Sequence, residues 1–225
     1  MTLEILTDVE QGSDAWHDAR RGIVTASIVG KLITPTLKVA DNDTSRTTTL
    51  QLIAERITGY TEPTYVSADM ERGNLDEPIA RDVYSEHIAP VTEIGFMVED
   101  KWGFKIGYSP DGLVGECGLI EIKSRRQKTQ LKTILADEVP PENMAQCQTG
   151  LLITGREWLD YVSFCGGMPL YVKRVYPDPR WHEAIIEAVD LFEMAALAMT
   201  SIYNERTINL PATERPSSLD VELRL

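Results

Sequence analysis

The spacing of hydrophobic positions predicts helices in the first part of the chain. Apolar residues recur three or four positions apart, and these segments begin at capping residues such as Ser13 or end at glycines such as Gly59. The helices predicted in this way cover 13–22, a segment that starts at Thr25, 50–59 and the second half of 69–88. A first helical turn tolerates Pro78, so we expect Glu77 near the N-terminus of the last helix. The stretch 34–49 is polar and rich in turn-forming residues, and we expect a loop or arm there.

The pattern changes to strands between residues 91 and 123. Short alternating runs are separated there by glycine and aspartate, which predicts a meander of three or more strands. The elements predicted after the meander are a helix over 126–137, a helix from Pro141, two strands at 157–165 and 170–176, and a long amphipathic helix from near Asp178. Two prolines and weak periodicity indicate an extended tail over 205–225.

The composition is that of an ordinary globular protein. Hydrophobic residues make up 43% of the 225 positions and charged residues 25%. A chain of this length buries roughly 70% of its surface on folding and needs no disulfide or metal for stability. Its three cysteines are widely spaced and fit neither a disulfide framework nor a zinc site. The N-terminus does not resemble a signal peptide, and no apolar run is long enough to span a bilayer. We therefore expect a cytoplasmic protein with no membrane partner.

The net charge of −13 argues against a simple nucleic-acid binder, because phosphate contacts require lysine and arginine. The charge is unevenly distributed, however. Residues 19–21 and 123–132 are locally basic, whereas 176–225 is rich in acids. An acidic protein can therefore still present a basic groove.

Candidate chemistry is concentrated in GYSPDGLVGECGLIEIK, residues 107–123. A strand period of two places Glu121 and Lys123 on one face, and the preceding turn brings Asp111 alongside. Two close carboxylates repel each other unless a cation binds them, and all-oxygen ligation favours magnesium or manganese over zinc. A lysine whose pKa is lowered beside such a metal can orient or deprotonate a bound water. The alternative is a solvated strand face with a simple ion pair, and the residues alone leave both interpretations open.

Four blocks in a fixed order carry a family resemblance. They are DAWHDARRGIVTAS (14–27), GNLDEPIARDVY (73–84), YSPDGLV with GLIEIKS (108–124) and MAQCQTGLLITG (144–155). Together they resemble the lambda exonuclease-like viral recombination (alkaline) exonucleases of the PD-(D/E)xK nuclease superfamily. The resemblance implies an α/β (α+β) fold, in which helices flank a central mixed β-sheet with a restriction-endonuclease-like core. It also implies a single nuclease domain over 1–204.

The resemblance further implies an activity. Members of this family degrade linear double-stranded DNA, so we expect a 5′-to-3′ exonuclease that digests one strand from its 5′-phosphorylated end. Mononucleotides and 3′ single-stranded overhangs for annealing would be the products. The implied cofactor is Mg²⁺, with Mn²⁺ as a substitute and two ions per active site. The implied partners are a homotrimeric ring of this chain and a single-strand annealing protein, in a phage- or prophage-encoded system in the bacterial cytoplasm. A ring needs basic residues only along its channel, which answers the objection from the net charge.

The resemblance also assigns residues to the active site. The implied metal ligands are Asp111, Glu121, the main-chain carbonyl of Ile122 and, near a second metal, Glu77. The implied catalytic lysine is Lys123. Taken alone, Glu77 is also compatible with simple stabilisation of a helix N-terminus.

Further residues are assigned to DNA contacts. The implied pocket for the 5′-phosphate contains Arg20 and Ser27, with Gln146 as a further contact and Gln148 sharing its role. Met70 lies in the region of an apolar wedge at the duplex fork. Without the resemblance, the residues themselves favour a basic surface turn for Arg20, a helix cap for Ser27 and an exposed helix face for the glutamines.

Two other functions remain open at this point. One is a structure- or site-specific PD-(D/E)xK endonuclease, which would nick a covalently closed plasmid that an exonuclease leaves intact. The other is a non-catalytic module that binds DNA ends or a recombinase. Such a module has no need for Asp111, Glu121 and Lys123 together.

Overall fold

The structure is a computed structural model that describes residues 3–63 and 67–215. Its helices are α1 (Asp14–Arg20), α2 (Ala26–Val29), α3 (Asp43–Thr58), α4 (Ala68–His87), α5 (Gln127–Ala136), α6 (Pro141–Thr154) and α7 (Pro179–Thr207). Its strands are β1 (Glu4–Leu6), β2 (Val24–Thr25), β3 (Phe96–Glu99), β4 (Ile106–Tyr108), β5 (Gly112–Val114), β6 (Gly118–Ser124), β7 (Trp158–Phe164) and β8 (Tyr171–Val175).

The strands form two mixed sheets of four strands each. The first has the order β1-β3-β4-β2, with β2 parallel to β4. The second has the order β5-β6-β7-β8, with β6 parallel to β7 and its other pairs antiparallel. The predicted mixture of helices with mixed β-structure is confirmed. The predicted single meander over 91–123 is wrong, because the turn after Tyr108 passes the chain from the first sheet to the second.

Strand β6 lies inside the second sheet and is buried on both faces. Ile120 and Ile122 pack against α4 through Ala80 and Tyr84. Leu119 belongs to the larger core cluster, which includes buried residues of α6. The predicted alternation is therefore confirmed, and it turns Glu121 toward the face of Leu119. Glu121 is 0% exposed, which excludes the interpretation of this face as a solvated one.

Two helices differ from the sequence-based expectation. Helix α3 begins at Asp43, inside the expected loop over 34–49, because Asn42 and Ser45 form a reciprocal capping box. Helix α4 is continuous from Ala68, where the Ser67 side chain caps the first turn, and Pro78 lies in its interior. Glu77 is consequently a mid-helix residue, and stabilisation of a helix N-terminus does not explain it.

The second half of the chain follows the prediction more closely. Helix α6 has Pro141 in its first turn, and Asp178 caps α7 with its side chain. Helix α7 continues to Thr207, so the predicted boundary at residue 204 falls inside it. The last part of the predicted tail, 216–225, lies outside the described residues. No helix in the described part of the chain has the length and apolar character needed to cross a membrane.

Candidate active site

A cavity of about 160 Å³ opens where the turn between β4 and β5, the end of β6 and the helices α1, α4 and α6 approach one another. Eight of the sequence-predicted site residues line it together: Arg20, Ser27, Glu77, Asp111, Glu121, Ile122, Lys123 and Gln146. These residues are separated by more than 100 positions in sequence. The fold therefore brings residues of all four resemblance blocks to one place.

The acidic part of the cavity is built at the end of β6. The Ile122 N–H donates a hydrogen bond of 2.6 Å to the Asp111 carboxylate, which attaches the β4–β5 turn to the strand. The Lys123 ammonium donates to one oxygen of Glu121 at 2.6 Å, and the Tyr108 hydroxyl lies 3.4 Å from the other. In a strand the N–H and C=O of one residue point to the same side. The Ile122 carbonyl therefore faces the Asp111 side of β6, away from β7.

The carboxylates of this cluster are electrostatically crowded. Burial raises the pKa of Asp111 to about 7, and repulsion from Glu121 adds to the shift. Burial also raises the pKa of Glu121, although the neighbouring lysine opposes it. Burial and repulsion from Asp111 raise the pKa of Glu77 to about 7. The raised pKa values show that the positive charges near these three carboxylates are too few to stabilise all of them in the ionised form.

Lys123 responds in the opposite sense. Burial disfavours its ammonium, but the carboxylates of Glu121 and Asp111 outweigh burial and raise the pKa of Lys123 above its ordinary value. The lysine is therefore charged and paired with Glu121 in this structure. The sequence-based expectation of a lowered Lys123 pKa applies to a site that also holds a metal ion, and without one the carboxylates raise this pKa.

The donor chemistry of the cavity fits a hard divalent cation. Carboxylate and carbonyl oxygens are the groups that Mg²⁺ and Mn²⁺ prefer, and Mg²⁺ keeps several water ligands. Within residues 3–63 and 67–215, no three His, Cys, Asp or Glu side chains are already gathered as metal ligands. Asp111, Glu121 and Glu77 are instead engaged by Ile122, Lys123 and Arg81. A cation held by Asp111 and Glu121, with a carbonyl and waters, fits the crowded charges.

A basic pocket adjoins the carboxylates. The Arg20 guanidinium donates to the Ser109 hydroxyl at 2.8 Å and to the Ser27 hydroxyl at 3.3 Å, and it stacks 4.0 Å from the centre of the Trp16 ring. The Trp16 indole also donates to Ser109, at 2.9 Å. Burial lowers the pKa of Arg20 to about 10, so the side chain stays charged at neutral pH. A guanidinium flanked by two hydroxyls is suited to phosphate oxygens.

The structure places Arg20 and Ser27 at the cavity, and their phosphate-binding role stays a prediction. Arg20 lines the cavity, whereas its neighbour Arg21 pairs with Asp18 on α1. Ser27 follows the first residue of α2 and is not its N-cap, which is Thr25. Arg20 is therefore more than a basic surface turn, and Ser27 is more than a cap.

The two glutamines of α6 lie in different places. Gln146 lines the cavity. Gln148 is buried, donates to the Tyr176 carbonyl at 2.9 Å and accepts from the Asp178 N–H at 2.9 Å. Residues two apart on a helix point about 200° away from each other, so they cannot share one contact. The expectation that Gln148 shares the role of Gln146 is corrected, since Gln148 joins α6 to the start of α7.

Met70 lies in the first turn of α4 and is 51% exposed. It is not among the residues that line the cavity. An exposed methionine at this end of α4 is compatible with an apolar contact to a large ligand, and its role as a wedge stays a prediction.

Several residues of the site were assigned no role there from the sequence. Trp16, Tyr108 and Ser109 line the cavity, and Gln11 donates to the Pro110 carbonyl beside it. Ser109 stands two positions before Asp111, and this adjacency was an available signal. No comparable pattern marks Tyr108, because an aromatic residue in a predicted strand is expected to lie in the hydrophobic core.

Comparisons with known proteins show the family and the fold of this chain. Residues 15–157 match the family model of the YqaJ-like viral recombinase domain. The chain is 33% identical to an alkaline exonuclease (LHK-Exo) from Laribacter hongkongensis, with a TM-score of 0.79 over 88% of this chain and 100% of that one. A structure of LHK-Exo in complex with dAMP matches equally well.

A more distant structure shares the fold alone. A phage-related exonuclease from Haemophilus somnus 129PT has 15% identity and a TM-score of 0.59, over 80% of this chain and 96% of that chain. No curated protein matches the sequence significantly.

Proposed function

Because the chain belongs to the family of YqaJ-like viral recombinase domains, we propose that it is a DNA exonuclease whose active site is the cavity at the end of β6. The similarity to an alkaline exonuclease over 88% of the chain supports this activity. One observation carries the proposal furthest. The buried Glu121–Lys123 pair and Asp111 share a single small cavity with the Arg20 pocket.

We further propose a dependence on Mg²⁺, for which Mn²⁺ substitutes, with two ions per active site. Asp111, Glu121 and the Ile122 carbonyl would hold the first ion, and Glu77 would contribute to the second. Bound there, such ions stabilise the attacking and leaving oxygens of phosphodiester hydrolysis. Lys123 directs its ammonium into the same cavity and orients the attacking water.

The basic pocket supports cleavage from a phosphorylated 5′ end. Arg20, Ser27 and Ser109 would hold the terminal phosphate through charge-assisted hydrogen bonds, and Gln146 would add a contact from α6. A terminal phosphate fixed beside the carboxylates favours removal of one nucleotide at a time. The proposed polarity, which rests on the family resemblance, is 5′ to 3′ on one strand of linear duplex DNA and leaves 3′ overhangs for annealing.

The proposed assembly is a homotrimeric ring that encloses DNA and cooperates with a single-strand annealing protein in the cytoplasm of a bacterial host. Exposed apolar residues on α7, including Met194 at 60% and Leu197 at 73%, support a subunit interface. An acidic exterior with charge −13 would repel DNA outside the channel. A native mass of one chain in solution would refute the ring.

Digestion of linear duplex DNA tests the proposed function. The substrate carries either a 5′-phosphate or a 5′-hydroxyl, and nucleotide release is measured with Mg²⁺ and with chelator. We expect faster release from the phosphorylated end, no release with chelator, and no activity in Asp111→Ala or Lys123→Ala. A covalently closed plasmid should stay intact, since nicking would favour an endonuclease. Undiminished activity of both variants refutes the assignment, and a wild-type protein that binds ends without degrading them is a binding module.

A further inference from the structure

Arg81 occupies a position beside the active site that the proposed reaction does not use. It follows Glu77 by one turn on α4, and its side chain is only 12% exposed. Few apolar contacts hold the first half of α4 in place, because the buried residues of this helix, Ala80 and Tyr84, both lie in its second half. The first half of α4, which carries Glu77, therefore depends on polar contacts for its position.

The guanidinium of Arg81 joins three separate segments. Its Nε donates to the main-chain carbonyl of Asp111 at 2.8 Å. One terminal nitrogen donates to the Glu77 carboxylate at 2.5 Å, and the other lies 2.7 Å from the carboxylate of Glu93. All three nitrogens of a single side chain are thus used, each on a different segment of the chain.

These anchors enclose the turn that carries Asp111. Next to Glu93, Thr92 exchanges two backbone hydrogen bonds with Leu113 of β5, at 2.9 and 2.8 Å. Arg81 therefore contacts the turn directly at Asp111 and also contacts the segment paired with the strand that follows it. The contact with Glu77 then connects this turn to α4.

We propose that Arg81 is a positioning residue that fixes the Glu77 carboxylate relative to the Asp111 turn, so that the ligands proposed for the two ions keep their positions relative to each other. The inference rests on the proposed function, because it assigns both acids to metal binding. A guanidinium is required, since a lysine ammonium carries equal charge but cannot reach three acceptors in a planar arrangement. Groups that orient metal ligands typically contribute 10- to 100-fold to metal affinity or activity.

The test compares Arg81→Lys with a matched control in the full-length protein. Arg156→Lys is the control. Arg156 also donates to main-chain carbonyls of the β5–β6 pair, those of Gly115 at 2.8 Å and Gly118 at 2.7 Å, but it does not line the cavity. Binding of Mn²⁺ to metal-free protein is measured by calorimetry, and thermal unfolding is recorded for each variant. DNA hydrolysis is then titrated with Mn²⁺.

We expect Arg81→Lys to weaken Mn²⁺ binding about 10- to 100-fold, and Arg156→Lys to keep the wild-type affinity. Saturating Mn²⁺ should restore the hydrolysis rate of Arg81→Lys, as befits a residue that positions ligands. Equal affinity in wild type and Arg81→Lys overturns the inference, as does a rate that stays low at saturating metal. Equal weakening in Arg156→Lys also overturns it, because a general loss of stability would then explain both.

Two further controls keep the outcome decisive. If Arg81→Lys unfolds, Glu93→Gln removes one anchor at a side chain that is 71% exposed, and a smaller loss of Mn²⁺ affinity is expected. Wild-type Mn²⁺ affinity in that variant counts against the inference. A wild-type protein that binds Mn²⁺ but does not degrade DNA refutes the proposed function alone, whereas one that binds no Mn²⁺ refutes both.

Discussion

Asp111→Asn should change how the stability of the metal-free protein depends on pH. The pKa of Asp111 rises from an ordinary 3.8 to about 7 through burial and repulsion from Glu121. The folded state therefore holds this proton more tightly than the unfolded state. The stability that the proton contributes is complete below about pH 4 and is lost as pH rises toward the folded pKa near 7.

The size of the effect follows from the shift. Each pKa unit corresponds to about 1.4 kcal/mol of stability. About two of these units lie between pH 5 and the folded pKa of Asp111 near 7, so they are lost within the range from pH 5 to pH 8.5. We expect the free energy of unfolding to fall by about 2–3 kcal/mol over this range because of Asp111. Asparagine still accepts the hydrogen bond from the Ile122 N–H but does not titrate. The variant also relieves the repulsion that raises the pKa of Glu77.

Urea unfolding with chelator, at several pH values between 5 and 8.5, measures the difference. The wild-type protein should lose stability with rising pH, and Asp111→Asn should lose markedly less. Asp82→Asn, at an exposed position of α4, serves as the control and should keep the wild-type slope. Parallel curves for wild type and Asp111→Asn would refute the proposed electrostatic crowding. Excess Mg²⁺ should flatten the wild-type curve, because a bound cation replaces the proton.

Five other substitutions, two of them controls, separate chemistry from packing. Arg20→Lys should reduce the preference for 5′-phosphate over 5′-hydroxyl ends about 10- to 100-fold, the value of charge-assisted hydrogen bonds, and an unchanged ratio of release rates would contradict the pocket. Gln148→Ala should cost about 1–3 kcal/mol in urea unfolding, because the buried Gln148 amide makes two hydrogen bonds that the variant loses, whereas Gln146→Ala should leave stability unchanged and slow nucleotide release. Gly150→Ala should destabilise by about 1–3 kcal/mol, since a Cβ would lie 2.7 Å from the buried ring of Tyr108; Gly166→Ala, with open space around it, should be neutral.

Local patterns predicted the parts of the site that depend on one segment. The period of two in GLIEIK orients Glu121 and Lys123, and the structure confirms that the isoleucines face the other way. Helix signals likewise located α6 and α7 through Pro141 and Asp178. These features are fixed by neighbours within a few residues, which a sequence displays directly.

Contacts between distant segments could not be predicted in this way. The Arg20–Ser109 hydrogen bond joins residues 89 positions apart, and only the family resemblance suggested a pocket at Arg20. The three contacts of Arg81 and the division of the strands between two sheets depend on tertiary packing. Gln148 was misassigned for the same reason, because its partners Tyr176 and Asp178 lie on a different element.

The position of β6 inside its sheet has a consequence for local unfolding. It pairs with β7 along all seven of its residues, from Gly118 to Ser124, so those of its amide hydrogens that bond to β7 should exchange with solvent only when the whole sheet opens. The first half of α4 pairs with no strand and has no buried residue before Ala80, so we expect it to open more readily than the sheet. We therefore expect Glu121 and Lys123 to persist as long as the fold does, and access to them to depend on opening of the helix that carries Glu77.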